Sequence, residues 1–249
     1  MIISQTLARA QPRRRLVDKP QFRGYVTDLI GSGLERSDLA GQPAPQAFLV
    51  EQPPNWELQS HFHLRHQFQV FIRGSGMLGK HAVGPLGVHY ASPHSGYGPL
   101  VAGDEGIWYL TLRVVSDTAA WYLPDAREHL KLRIAKQQVH AGPVEREVDL
   151  ASLEQAQLET VIELDSAGLG AWLMRLPAGA TCDAPAGAES GSGRFYVVMK
   201  GSLHLEDEEL KGLAAVFTGP TDPFTLRASA SAEVLVLQFP AAALLVAAD

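Results

Sequence analysis

The chain has almost no cysteine and no long apolar run. Its 249 residues include a single cysteine, Cys182, which excludes an intramolecular disulfide. One free cysteine fits a reducing compartment, so we expect a cytoplasmic protein. No apolar run approaches the roughly 20 residues that span a bilayer, which argues against a membrane protein. A net charge of −6 and a pI near 5.8 argue against nucleic-acid binding, because that role needs a clustered basic face.

The first 20 residues carry arginines but lack the apolar core of a secretory signal. We expect a flexible arm there, although the composition also leaves a transit peptide open. Residues 21–45 mix short apolar runs with glycines, as loops and edge strands do. Residues 1–44 are therefore predicted to form an N-terminal arm with edge strands.

From residue 47 onward the sequence is typical of a β protein. Short runs such as AFLVEQ and IWYLTLRVV alternate with glycine and proline, which predicts a sandwich or a barrel. In the second run, Tyr109, Thr111 and Arg113 share one strand face. This polar stripe either lines a pocket or is exposed to solvent.

One stretch, SHFHLRHQFQVFIRGSG at residues 60–76, carries the strongest chemical signal. His61 and His63 alternate along a strand, so both imidazoles point to one face. Gln67 then begins a run of β-forming residues that stops at Gly74. His66 breaks this parity and is interpreted as a loop residue.

The pattern H-x-H-x3-Q-x6-G resembles the first motif of the cupin superfamily, with Gln67 in place of the usual glutamate. The resemblance implies a small β-barrel in which His61, His63 and Gln67 bind a divalent metal, together with a histidine from a second motif. The alternative is that His61 and His63 are half-buried strand residues without a metal.

The second cupin motif is only half present. Gly87 and Pro93 have the expected spacing, but Gly96 comes one residue late, and the expected histidine position falls next to Tyr97. His94, in the same turn, is the first candidate for the further metal ligand. His89, on the preceding strand, is the alternative, and either could be an ordinary packed or solvated side chain.

The chain also repeats itself. QVFIRGS at 69–75 matches YVVMKGS at 196–202, and AFLV at 47–50 matches AWLM at 171–174, in the same order. The resemblance is thus to a bicupin, an all-β protein with two tandem jelly-roll barrels. The predicted parts are a barrel at 45–115 with the metal site, a connector at 116–167, and a barrel at 168–249 without a metal motif.

Moving the first motif along by the 127-residue offset leads to Ala188, Ser190 and Arg194. Alanine has no donor atom, serine is a weak ligand and arginine is cationic. We therefore expect a metal in the N-terminal barrel alone.

The residues favour a metal-dependent bicupin enzyme of the oxygenase type, acting on a small anionic or enol-type molecule. The metal would be Fe, Mn, Ni, Cu or Zn, and Arg73, Tyr97 and Arg113 are candidates to orient the substrate. The alternative is a non-catalytic bicupin that binds a small molecule at a degenerate site.

The opposite face of the motif strand is apolar, with Phe68, Val70 and Ile72. Such a face needs a packed neighbour, which predicts a second domain, a homodimer, or both.

Overall fold

The computed structural model describes residues 1–31, 44–117, 120–131, 134–142, 148–187 and 191–244. The chain divides into two compact units. Arg13–Val144 form one, called here the N-terminal unit. Met1–Pro12 and Glu145–Asp249 form the other, called here the C-terminal unit.

Almost all regular structure is strand. The strands are β1 Ile2–Thr6, β2 Arg14–Lys19, β3 Phe22–Ile30, β4 Gln46–Gln52, β5 Glu57–Leu58, β6 His61–Phe62, β7 Gln67–Leu78, β8 His81–Val83, β9 Val88–Ala91, β10 Leu100–Arg113, β11 Trp121–Tyr122, β12 Gln138–Ala141, β13 Gln157–Ile162, β14 Gly170–Leu176, β15 Thr181–Asp183, β16 Arg194–Leu205, β17 Glu208–Lys211, β18 Ala214–Thr218 and β19 Thr225–Gln238.

The helices are short. They are α1 at Leu7–Ala10 and single 3-10 turns at Gln11–Arg13, Arg127–His129, Leu150–Ser152 and Ala241–Leu244. No helix within the described ranges is long and apolar enough to cross a membrane.

The N-terminal unit is built on a sheet with the strand order β12-β9-β7-β10-β4-β3-β2. The long strands β7 and β10 lie at its centre, and β5 and β8 extend it. Each strand alternates between two faces. Phe71, Tyr109 and Val50 pack on the inward face, in a buried cluster with residues of the surrounding strands.

The C-terminal unit repeats this arrangement with the order β1-β18-β16-β19-β14-β13. Its central strands β16 and β19 correspond to β7 and β10. β7 begins at residue 67 and β16 at residue 194, 127 positions apart. The duplicated all-β architecture confirms the predicted fold class.

The first residues of the chain form strands, where a flexible arm was expected. β1 pairs with β18 from Ile2↔Thr218 to Thr6↔Ala214 and is the edge strand of the C-terminal unit. β2 pairs with β3 at the edge of the N-terminal sheet. On β2, Arg14 donates two hydrogen bonds of 2.8 Å to Glu51. Of the arginines that suggested an arm, Arg14 and Arg15 therefore belong to an edge strand, and Arg9 and Arg13 lie in short helical turns.

We expect two glycines at matching positions of the repeat to be irreplaceable. Gly74 and Gly201 both have φ of +75°, and a Cβ would lie 2.0 Å from the Gly106 oxygen and 1.9 Å from the Ser231 oxygen respectively. Gly74→Ala and Gly201→Ala should each lower the free energy of unfolding by more than about 2 kcal/mol, measured by urea denaturation.

The matched control is Gly142→Ala, where a Cβ would meet nothing within 4 Å and φ is not positive. This variant should change stability by less than about 1 kcal/mol. Equal effects at all three glycines would contradict the role assigned to the left-handed backbone.

Candidate functional site

The inner face of the N-terminal unit encloses a cavity of about 370 Å³. One part is polar and includes His61, His63, Tyr97 and Arg113. The other part is apolar, with Phe22, Val26, Phe48, Val50 and Leu58. A cavity of this size and mixture is typical of a small-molecule site.

The guanidinium of Arg113 is the most buried charge at this cavity, with 3% of the residue exposed. Its Nη1 donates to the Gln46 Oε1 at 2.6 Å, and its Nη2 donates to the Gln67 Oε1 at 2.8 Å. Burial lowers the pKa of Arg113, and the charge of Asp117 opposes this shift. The side chain is thus a buried cation held by two neutral amides and a nearby carboxylate.

Strand register explains this arrangement. Arg113 ends β10, directly opposite Gln46 on β4. On the other side, Leu112 pairs with Phe68 of β7, so Gln67 lies one step further along that ladder. Arg113 therefore lies between two glutamines on the flanking strands, within hydrogen-bond reach of both amide oxygens.

His63 and Asp117 form the next layer around Arg113. The Nδ1 of His63 lies 3.4 Å from the Asp117 Oδ2 and 3.2 Å from the Arg113 Nη2. Burial raises the pKa of Asp117, but His63, Arg113 and the Leu64 amide together outweigh it and hold the pKa well below its usual range. Asp117 is consequently an ionised counter-charge to Arg113.

His61 is a buried neutral imidazole. Its Nδ1 donates a 2.8 Å hydrogen bond to the Gln59 carbonyl, which leaves the Nε2 lone pair for a group in the cavity. Burial lowers the pKa of His61 to about 3, with further contributions from His63 and Arg113.

Tyr97 faces His61 across a short antiparallel bridge, with a hydrogen bond of 3.0 Å in each direction between their backbones. The two ring centroids are 4.6 Å apart. Gln67 Nε2 donates a short hydrogen bond to the Tyr97 hydroxyl. Burial raises the pKa of Tyr97, so the phenol keeps its proton. Tyr97 thus occupies the neighbourhood in which the second motif would put a histidine.

His89 lies beside this group but outside the cavity lining. Its Nδ1 donates to the Gln69 Oε1 at 2.8 Å, and its Nε2 is buried with no hydrogen-bond partner among the described residues. Its ring stacks on His140 at 4.4 Å, and His140 stacks on His81 at 3.9 Å. Sequence reasoning missed this stack, because His140 on β12 is far along the chain from His81 and His89 and reaches them only through the pairing of β12 with β9.

The structure does not bring Arg73 and His94 to the cavity. The β7–β10 ladder pairs Phe71 with Tyr109 and Arg73 with Trp108, so an extra residue between them turns Arg73 to the outer face. There it is exposed and lies over the Trp108 ring. His94 has φ of +57°, and its ring stacks on Phe62 at 5.6 Å.

The residues around Arg113 do not fit a divalent metal. No three His, Cys, Asp or Glu side chains within the described ranges come together in a metal-holding group. The Gln67 Oε1, which would face a metal, accepts from Arg113 instead, and the guanidinium charge beside it repels a cation. Two groups could fill the further ligand position: the neutral phenol of Tyr97 is a poor ligand while protonated, and His89 lies outside the cavity lining.

Sequence reasoning also missed Gln46 and Asp117. Gln46 precedes the motif by fifteen residues, and Asp117 follows the closing strand by four, so neither belongs to a motif. Strand parity could have pointed to Gln46, whereas Asp117 lies outside the strands and had no such signal. In the C-terminal unit, Ala188 and Ser190 lie outside the described residues, and Arg194 begins β16.

The fold is similar to those of several solved structures. Bacterial pirin YhhW from Escherichia coli, solved in complex with nickel(II), has 12% identity and a TM-score of 0.57, with 96% of this chain and 99% of that chain covered. A variant of Bacillus subtilis oxalate decarboxylase has 12% identity and a TM-score of 0.60, covering 96% and 77%. A candidate dioxygenase from Nostoc punctiforme has 15% identity and a TM-score of 0.56, covering 99% and 81%.

No protein-family model matches the chain, and no curated protein matches it. The solved structures are members of the cupin superfamily, and at these identities the likeness shows the fold alone. The chain therefore has the cupin fold in its two-barrel form, which confirms the resemblance read from the first motif.

Stability should fall below pH 7 because His61 is buried without a proton. The unfolded chain protonates this histidine near pH 6.5, whereas the folded chain resists protonation until about pH 3. Between pH 7 and pH 5, His61 alone should therefore lower the free energy of unfolding by about 2 kcal/mol, measured by urea denaturation.

His61→Asn keeps a donor near the Gln59 carbonyl but does not titrate, so it should remove the contribution of His61 to this pH dependence. The part that comes from His66, His89 and His140, whose pKa values burial also lowers, should remain. His204→Asn, at an exposed position on β16, is the matched control for the histidine-to-asparagine change itself. The same slope in the His61→Asn protein and in the wild type would contradict the assignment.

Proposed function

We propose that the N-terminal unit binds a small carboxylate or enol-type molecule in its 370 Å³ cavity without needing a metal. The observation that carries this proposal is the buried Arg113 guanidinium, which lies beside the two motif histidines and bonds to Gln67. A fixed guanidinium supplies positive charge for an anionic ligand, as a metal ion does in other sites.

Arg113 has one donor that is held only loosely. Its Nη2 lies 3.2 Å from one ring nitrogen of His63 and 3.5 Å from the other, so neither accepts the proton squarely. Its other donors meet the oxygens of Gln46, Gln67 and the Asp117 backbone. A ligand carboxylate would therefore meet Arg113 on the His63 side.

The remaining polar groups specify a second feature of the ligand. His61 offers an acceptor at Nε2, and Tyr97 offers its hydroxyl proton, because the Tyr97 oxygen already accepts from Gln67. A molecule with a hydroxyl or enol next to its acidic group satisfies both. The apolar side of the cavity, with Phe48 and Val50, suits a small hydrocarbon or aromatic body.

The rim of the cavity favours anions. Arg15, Lys19 and Asp28 lie there, and Arg15 Nη1 bonds to Asp28 Oδ2 at 2.7 Å. The net charge of these three groups is positive, which attracts a carboxylate to the opening.

A second candidate is the metal-dependent, oxygenase-type enzyme that the motif resemblance implies. One observation favours it: the Nδ1 of His61 donates to a backbone carbonyl, which is the tautomer that metal-ligating histidines use. In this case His61, His63, Gln67 and His89 would be the ligands, and the metal would supply Lewis-acid or redox chemistry.

Binding of mandelate and phenylacetate tests the first proposal, because the two probes differ by one hydroxyl. Wild-type protein purified without chelators should contain little transition metal by elemental analysis. It should bind mandelate more tightly than phenylacetate in isothermal titration, and EDTA should not change this. Tyr97→Phe should reduce the difference in affinity between mandelate and phenylacetate, and Arg113→Met should weaken the binding of both probes at least tenfold.

Arg73→Met is the matched control, since it removes an arginine that lies outside the cavity, and it should bind both probes as the wild type does. Thermal unfolding of each variant separates lost binding from lost folding. A stoichiometric metal that disappears in both His61→Ala and His63→Ala would overturn the metal-free proposal in favour of the second candidate.

Removing the internal cation should create a metal site. Gln67→Glu alone should form an ion pair with Arg113 and bind nickel no better than the wild type. The double variant Gln67→Glu, Arg113→Gln supplies a carboxylate and removes the competing charge, so its nickel affinity should rise at least tenfold. Unchanged nickel binding in the double variant would show that Arg113 does not exclude the metal.

A further inference from the structure

The C-terminal unit carries the same arginine–glutamine pair with the two residues exchanged. Arg194 begins β16, where β7 has Gln67, and Gln238 ends β19, where β10 has Arg113. Arg194 and Gln238 are direct partners in the ladder, and the Arg194 Nε donates to the Gln238 Oε1 at 2.8 Å.

Arg194 is anchored on two sides without a carboxylate. Its Nη1 donates to the Pro185 carbonyl at 2.8 Å. The backbone of Gly187 covers one side of the guanidinium, because a Cβ there would lie 1.7 Å from Nη2. Among the described residues, no Asp or Glu lies within ion-pair distance of Arg194. Within the part of the chain that the structure describes, its charge therefore has no carboxylate partner, unlike that of Arg113 near Asp117.

Arg194 lines a second cavity of about 370 Å³. Tyr196 and Phe224 form an aromatic wall, with ring centroids 4.5 Å apart. Asp183 and Asp222 lie on the same cavity, but both are already occupied. Asp183 accepts from the Thr225 hydroxyl, and Asp222 pairs with the N-terminal ammonium of Met1.

We infer that this cavity is a second ligand site, which takes a small monocarboxylate on Arg194. The hydrogen-bond partners of Arg194 among the described residues are all neutral, and a guanidinium in such a setting binds a planar carboxylate well. The carboxylates of Asp183 and Asp222 repel a multiply charged anion such as phosphate, so a single negative charge is favoured. The aromatic wall of Tyr196 and Phe224 accommodates the apolar part of the ligand.

Benzoate is the probe, and benzamide, which has the same shape without the charge, is its control. In isothermal titration of the full chain, Arg194→Met should weaken benzoate binding at this site at least tenfold. Arg194→Lys keeps the charge but loses the planar fork, so it should weaken binding by a smaller factor. All titrations are repeated in an Arg113→Met background, so binding in the N-terminal unit is counted separately.

Thr221→Trp provides a second route, because Thr221 is exposed and lines the same cavity. The larger side chain should block the cavity and abolish benzoate binding without disturbing Arg194, even if Arg194→Met fails to fold. Thermal unfolding first establishes that Arg194→Met and Thr221→Trp are folded in the Arg113→Met background. The inference is overturned if both folded variants give the same benzoate isotherm as the Arg113→Met protein. It is also overturned if benzamide binds as tightly as benzoate.

Discussion

The buried guanidinium of Arg113 is the constraint around which the N-terminal unit is arranged. A cation with 3% exposure is tolerated only when oxygen acceptors surround it. Gln46 and Gln67 provide them from the two neighbouring strands, and Asp117 adds the opposite charge. Gln67 is thereby fixed in the orientation that directs its amide nitrogen to Tyr97. One side chain thus determines the hydrogen bonding of the whole polar end of the cavity.

The two units meet the same constraint in opposite ways. Both units have a hydrogen bond from an arginine on one central strand to a glutamine on the other. The arginine lies on β10 in the N-terminal unit and on β16 in the C-terminal unit. When the arginine and the glutamine exchange strands, the guanidinium–amide hydrogen bond stays in place but the groups around it change. Arg113 has Asp117 nearby, whereas Arg194 faces a cavity without a counter-ion in the described chain. A duplicated fold can therefore keep one interaction while its two sites diverge in charge.

Strand parity allowed the fold and part of the site to be predicted. The alternation of His61 and His63 and the repeat at 127 residues both follow from local sequence. Arg73 was misplaced because the bulge before it adds one residue to β7, and a bulge leaves no clear mark in sequence. The contact between Gln46 and Arg113 depends on which strands become neighbours, and that pairing is a property of the complete sheet.

The pairing of β1 with β18 has a consequence for the order of synthesis. Ile2–Thr6 leave the ribosome before the other described strands, yet their partner Ala214–Thr218 follows only after about two hundred further residues. At typical elongation rates this delay is about ten seconds or more. The N-terminal unit, Arg13–Val144, is continuous in sequence and has all its strands long before then. The C-terminal unit therefore closes by pairing a late strand with one that was synthesised long before it.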